Sequence, residues 1–421
     1  MRILFLTPRF PYPPDRGDTL RSWNMLRALA GRHEVWLACV DRDAPGPEHE
    51  KAARELCREV AVFTRSSSAA LLRGAAGAVR GQSVTEGYFN DERLAATVVA
   101  WSRARPFDVV LAYSSGLAEV GLRARARHRV LDLCDVDSFK WSLYARRALP
   151  PLRWLYRLEA RRVAALEARL CPQYDRCLVV NERERRKLRR RSPAAAAAAR
   201  VLPTLVDLRE LRGELLATLP DEPVLGMVGS MFYPPNVRAA NWFGAHVWPR
   251  IRAAIPAARW LIVGARPAAS VRRWARDPQV VVTGYVDDVR PYLAAMRVFV
   301  NPVQGDIGVQ SKLLVAMGAG RACVVSPAAA AGIEHDDPPP FVIAGCPEAF
   351  AEAVVRLLRD GAAARALAAR ARAQIERDYD LESAATRLDA WLVPAGRRAV
   401  QRRDVEAVAV ASAPAEFIPV P

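Results

Sequence analysis

The stretch Val309–Ser326, VQSKLLVAMGAGRACVVS, joins a polar turn to an apolar segment and then to a run of small and branched residues. It reads as the end of a loop (GDIGVQSK), a helix with Ser311 as its N-cap, and a buried strand over 321–327. Such a helix start leaves backbone N–H groups unpaired and carries partial positive charge, which suits a pyrophosphate. Lys312, the only lysine after residue 187, adds a full charge there. A solvated first-turn lysine is the plainer alternative. A second anion seat is the turn GSMFYPPN (229–236), where Gly229 and Ser230 allow the backbone to come close to a ligand.

Outward from this stretch the alternation of strand and helix recurs. Strands are expected over 222–230, 258–265, 279–286 and 297–302, with amphipathic helices such as 236–254 and 347–359 between them. The first half behaves likewise. MRILFL is a short apolar strand that runs into the proline-rich PRFPYPPDRGD, followed by a helix from about Thr19 to Ala30 and the strand HEVWLACV. Further strands are read over 106–113, 129–135 and 176–181. The helix over 151–170 carries Leu152, Leu155, Leu158, Val163, Leu166 and Leu170 on roughly one face, with arginines, Trp154 and Tyr156 on the others. The alanine tract 192–200 and VLPTLVD (201–207) read as the junction between halves.

Strand-helix repetition of this kind favours α/β architecture with parallel sheets and right-handed crossovers. Two Rossmann-like domains in tandem are expected. The first spans 1–205 and the second 206–375; a helix over 376–393 packs back on the first, and 394–421 forms a disordered tail. Ligands belong at the carboxyl ends of the strands and in the cleft between domains.

The 421 residues are 51% apolar and 25% charged, ordinary for a globular chain. No apolar run approaches the ~18 residues of a membrane span, and MRILFL is too short for a signal-peptide core. Seven cysteines without a CxxC pair read as reduced thiols, with no metal site and no disulfide framework, and the expected location is cytoplasmic. Of the 62 basic residues 58 are arginine, and the net charge is +17. Lys140–Arg200 holds 17 basic and five acidic residues, a focused patch that calls for an anionic partner. A peripheral position on an anionic inner-membrane surface fits the basic helices with interleaved Trp and Tyr. Nucleic acid is excluded as a partner, because no recognisable reading motif accompanies the charge. GxGxxG and GxxxxGK[ST] are both absent, which removes the dinucleotide and P-loop readings.

Five segments together carry a family resemblance: RFPYPPDRGDTLRSWNMLRAL, LDLCDVDSFKWSLYARR, GSMFYPPNVRAANWF, VTGYVDDVRPYLA and GVQSKLLVAMGAGRACVVSP. Over roughly residues 1–390 the chain resembles the retaining glycosyltransferases of family 4, with the two-domain architecture called GT-B. It is most similar to the sugar transferases associated with the PEP-CTERM and exosortase exopolysaccharide systems of bacteria. The resemblance implies a nucleoside diphosphate sugar as donor substrate, held by the second domain without metal or cofactor. It also implies a saccharide or lipid-linked saccharide acceptor, held mainly by the first. Arg16, Gly17 and Asp18 would close over the donor phosphates, Tyr285 and Val286 would lie beside the base, and Gln310, Ser311 and Lys312 would meet the diphosphate. Asp135 and Asp137 would line the acceptor side and, with Lys312, are the catalytic candidates.

The sequence departs from that family in three places. Two acidic residues separated by seven are common in the family, the second gripping the ribose; the corresponding positions here are Ile307 and Val315. The closer relatives often carry arginine at the first of these, also absent, and Asp306 stands one position away as a substitute. The usual Asn-Gly-Val-Asp junction is Thr204-Leu205-Val206-Asp207. A catalytically degenerate GT-B protein that only binds a ligand is therefore the alternative expectation.

Overall fold

The computed structural model describes residues 1–392 except 15, 67, 69–72, 75–76, 78, 212, 214–217 and 306–307. Asp306 and Ile307, and the tail expected over 394–421, lie outside the described residues.

The first domain is built on a seven-stranded parallel sheet in the order β3-β2-β1-β4-β5-β6-β7. Its strands are β1 (Arg2–Thr7), β2 (Glu34–Asp41), β3 (Glu59–Thr64), β4 (Phe107–Tyr113), β5 (Ala126–Cys134), β6 (Arg176–Val179) and β7 (Arg200–Val201). β1 lies at the centre and is buried along its whole length because helices cover both faces of the sheet. Its side chains alternate between two cores: Leu4 and Leu6 pack on one side, Ile3 and Phe5 on the other.

The helices that position the site are α1 (Gly17–Ala30), α2 (Asp137–Arg147), α3 (Leu152–Leu170) and α4 (Glu182–Arg191) in the first domain. In the second they are α5 (Pro234–Trp242), α6 (Ser311–Gly318) and α7 (Pro347–Arg359), and α8 (Leu381–Leu392) closes the described chain. Inside the first domain the Arg21 guanidinium, from α1, forms a bidentate pair with Asp132 of β5 at 2.8 and 2.9 Å and donates to the Leu202 carbonyl. Arg21 and Asp132 are 1% and 0% exposed, so this pair locks α1 against the sheet with no carboxylate oxygen left to water.

The second domain holds a six-stranded parallel sheet in the order β10-β9-β8-β11-β12-β13. The strands are β8 (Val224–Val228), β9 (Arg259–Val263), β10 (Val280–Gly284), β11 (Val298–Asn301), β12 (Ala322–Val325) and β13 (Val342–Ile343). The helix expected over 236–254 begins two residues earlier, with Pro234 and Pro235 in its first turn, where a missing N–H loses no partner. It runs through a widened turn, Phe243–Val247, into Trp248–Ala254.

The alanine tract is not a linker. Pro193–Ala198 forms a helix capped by the Ser192 hydroxyl, and Arg200–Val201 supplies the edge strand β7. The chain passes between cores a few residues later: Leu202 and Leu205 pack in the first domain, Val206 and Leu208 in the second. It returns at the end, with Tyr379 in the second core and Leu381, Ala384, Ala385, Leu388 and Leu392 of α8 in the first. The two crossings run side by side, joined by hydrogen bonds from Val206 N–H to the Tyr379 carbonyl and from Leu381 N–H to the Val206 carbonyl, both 2.9 Å.

Candidate active site

The carboxyl ends of both sheets face a common cleft, and two helix N-termini meet across it. A methyl group placed on Gly17, the first residue of α1, would stand 3.8 Å from the Ser311 hydroxyl, the first residue of α6. Neither helix start has a side-chain cap of the usual kind. The N-cap of α6 is Gln310 rather than the expected Ser311, and it makes no side-chain capping bond. Ser311 stands one position inside, in the first turn, where its hydroxyl points toward the opposing domain instead of back onto its own helix. The Leu313 and Leu314 amides reach the Gln310 carbonyl, and the Ser311 and Lys312 amides have no backbone partner among the described residues.

Lys312 is half-buried above that turn, and its ammonium donates to Asn236 Oδ1 at 2.5 Å. Burial pushes its pKa down to about 8. Asn236 sits in the first turn of α5, its amide donating to the Ser230 carbonyl at 3.0 Å, and so ties Lys312 to the loop after β8. Gly229 completes this corner. It has φ +152°, and a Cβ there would lie 2.8 Å from the Asn236 amide nitrogen and 3.5 Å from Lys312 Nζ. Across from it Gly264 abuts the Gly229 carbonyl so closely that any Cβ at 264 would overlap it. Gly229, Ser230, Ser311 and Lys312 are thus brought together, while Asn236, the residue that joins them, was not singled out. Its sign in the sequence was an amide placed just behind two helix-starting prolines.

Several expected donor contacts sit differently. The Gln310 side chain is 8% exposed and turns onto its own loop, donating to the Gly308 carbonyl at 3.0 Å. Arg16 is exposed at the head of α1, and Asp18 pairs with Arg9 at 3.4 Å. Tyr285, directly after β10, is 70% exposed, whereas Val286 packs against the second core. Val315 lies one turn beyond Ser311 on α6 and is half-buried against the same core. Arg266 stacks on Phe232 at 3.8 Å, a pair that no local pattern announced.

The opposite wall is acidic. Asp135 follows β5 and Asp137 opens α2; a Cβ on Gly308 of the second domain would stand 3.1 Å from the Asp135 carboxylate. Ser115 donates to Asp137 at 2.8 Å. Two further carboxylates come from distant helices. Glu184 of α4 accepts from the Val136 amide at 2.9 Å, and Glu167 of α3 accepts from the Ser138 amide at 3.0 Å. Burial, and then the nearby Glu184 carboxylate, push Asp135 up to about 6. Burial likewise raises Asp137, and it pushes Glu167 up to about 7. The domains also touch beside this wall: the Asn181 amide donates to the Gly332 carbonyl at 3.3 Å, and the Glu182 amide to the Glu334 carboxylate at 2.8 Å.

The cleft therefore has a cationic side with helix dipoles and open amides, and an acidic side with carboxylates of raised pKa. That pairing can hold a diphosphate on one wall and a hydroxyl on the other.

The wider comparisons agree with this architecture. The protein is similar in structure to the HepE protein of Anabaena, solved in complex with UDP and glucose, with a TM-score of 0.64 at 15% identity over 93% of this chain and 99% of that one. It is also similar to the sucrose-phosphate synthase of Thermosynechococcus elongatus, with a TM-score of 0.65 at 16% identity over 97% of this chain and 100% of that one. A third likeness is to a trehalose-6-phosphate protein of E. coli bound with UDP-2-fluoro glucose, with a TM-score of 0.59 at 13% identity over 93% and 99% of the two chains. No curated protein sequence matches the chain. The fold is GT-B, and residues 222–360, which contain the Gly229–Lys312 corner, match the family model of the group 1 glycosyl transferases.

Proposed function

We propose that the protein transfers a sugar from a nucleoside diphosphate sugar to a saccharide or lipid-linked saccharide acceptor, with the anomeric configuration retained. The observation that carries this reading is the meeting of the α1 and α6 N-termini beside the half-buried Lys312 ammonium. In the reaction the bond from the sugar's anomeric carbon to the diphosphate oxygen breaks, and the electron pair leaves with the nucleoside diphosphate. Lys312, the Ser311 and Lys312 amides and the two helix dipoles stabilise that developing charge. The acceptor oxygen bonds to the same carbon and gives up its proton. Asp135, ionised above about pH 6 and pressed against the donor loop at Gly308, is the base we assign to that proton. No metal enters this scheme. Bacterial exopolysaccharide assembly is the setting we favour, from the resemblance to the PEP-CTERM and exosortase-associated transferases.

Calorimetric titration with a panel of nucleoside diphosphate sugars tests the reading. Binding of one donor, followed by release of its nucleoside diphosphate when an acceptor is added, is the expected result. One observation favours the degenerate alternative: Val315 offers the ribose no acceptor, and losing a charge-assisted hydrogen bond there costs on the order of 1.5–3 kcal/mol. Donor binding without turnover over any acceptor would decide for that alternative.

A further inference from the structure

Eleven large hydrophobic side chains are strongly exposed among the described residues, and six of them lie in one hairpin: Tyr144, Leu149, Leu152, Trp154, Leu155 and Leu158. The hairpin is the tip of α2 and α3. The apolar stripe of α3 divides along its length, since Val163, Leu166 and Leu170 are buried in the domain while the first two turns project beyond it. Leu149 and Trp154 are 77% and 72% exposed. Exposed apolar area this concentrated marks a surface with a partner.

The charges around the tip are sorted by sign. α3 has two carboxylates, Glu159 and Glu167, and both are buried, 5% and 1% exposed. Glu159 turns inward to accept from the Val84 and Thr85 amides at 2.8 Å, and Glu167 faces α2. The outer surface is left to Arg146, Arg157 and Arg161, none paired with a carboxylate among the described residues. Beneath the tip, Trp141, Tyr144 and Tyr156 pack together with ring centroids 5.6–6.2 Å apart and brace the two helices. No helix of the described residues is long and apolar enough to cross a membrane.

We propose that this tip docks on an anionic phospholipid bilayer, with Leu149, Leu152, Trp154 and Leu155 entering the headgroup boundary and the arginines meeting lipid phosphates. Projecting leucines and a tryptophan ringed by unpaired arginines, with every acid turned away, match a negatively charged surface with an apolar interior. The placement has a functional corollary. α2 carries Asp137 at its inner end and the tip at its outer end, and eleven residues of helix span roughly 16 Å. The acidic wall of the cleft is thereby held within roughly one short helix length of the docking tip. The docking itself stands apart from the transferase reading, because it is measured without donor or acceptor.

The test uses the full chain with vesicles of phosphatidylglycerol and phosphatidylcholine, and with vesicles of phosphatidylcholine alone. Cosedimentation with the anionic vesicles only, weakening with added salt, is the expected result. Two double variants, Trp154→Ala with Leu155→Ala and Arg146→Glu with Arg157→Glu, should each lose about tenfold or more in vesicle affinity with an unchanged thermal melt, since all four side chains are at the surface. Absence of binding to anionic vesicles overturns the proposal, as does undiminished binding by both variants. A wild-type dimer that Trp154→Ala with Leu155→Ala converts to monomer, without vesicle binding, would show instead that the tip is an interface between copies of this chain.

Discussion

At Lys312 an ammonium occupies the first turn of a helix, where the backbone dipole opposes it and no acidic side chain shares the turn. Among the described residues its one hydrogen-bond partner is the neutral Asn236, and burial already lowers its pKa to about 8. An arrangement that is unfavourable in the empty protein becomes favourable once an anion arrives, so stability and activity should respond in opposite directions here. Lys312→Met is expected to raise the melting temperature of the ligand-free protein while lowering turnover by roughly 100-fold; a solvated lysine would move neither. The pH dependence of kcat/KM, which reports the unliganded protein, follows from two groups. Asp135 must be ionised, so the rate falls as pH drops through about 6; Lys312 must be protonated, so it falls again as pH rises through about 8. Asp135→Asn should remove the acid limb and Lys312→Met the basic one. Val315, one turn beyond Ser311, is the place to restore a ribose contact. Val315→Glu should tighten donor binding by roughly 1 kcal/mol with the fold intact; a lower melting temperature without gained affinity would favour the degenerate reading.

Among elements, α2 depends most on residues far from it in sequence. Its first amides are taken by Glu184 and Glu167, and the second oxygen of Glu167 is buried with no partner. Glu167 has its pKa raised to about 7, above the ordinary carboxylate value, so the folded protein holds a proton that the unfolded chain has lost. Stability from this group is therefore full at acid pH and declines as pH rises from the ordinary carboxylate range through about 7. Glu167→Gln, which cannot ionise, should leave stability at pH 5 nearly unchanged and raise it by roughly 1–3 kcal/mol at pH 8, as read from denaturant melts. Contacts of this sort were not legible in the sequence. Strands such as β1, β8 and β11 were, because burial on both faces leaves a continuous apolar run. The edge strands β7 and β13, two residues each, carry no pattern at all. The meeting of Gly229, Ser230 and Lys312 in one corner followed from the glycine-serine turn and the lone lysine of the second half. Its junction through Asn236 was not legible, because that contact spans 76 residues. Asp135 and Asp137 were marked only through the family resemblance, and Glu167 and Glu184 were not marked at all, because their approach to α2 is made by the packing of α3 and α4. Ser311 misled locally: a serine before a helix usually caps it, and here the N-cap position falls to Gln310, which makes no side-chain capping bond, while the Ser311 hydroxyl faces α1.

For the whole molecule, charge and topology matter more than any single contact. The +17 net charge lies almost wholly in residues 1–205, concentrated over Lys140–Arg200, and the α2–α3 tip couples it to exposed apolar surface. The path of the chain has a different consequence. α8 lies in the core of the first domain, against the same cluster as Ile3, Phe5 and Leu26, and Asp389 binds both Arg32 and His33 there at 2.8–2.9 Å. In order of synthesis the second domain is thus an insertion within the first. A ribosome delivers residues 1–205, then the whole of the second sheet, and only then the helix that seals the first. The inserted domain has every piece of its core as soon as it emerges, whereas its host must wait, partly open, for about 180 further residues. Expressed alone, 206–380 should melt cooperatively, and 1–205 should bind a hydrophobic dye and become compact only when a peptide of residues 381–392 is supplied. Folding of this chain then proceeds from the inside of its sequence outward, with the inserted second domain complete before the first has closed.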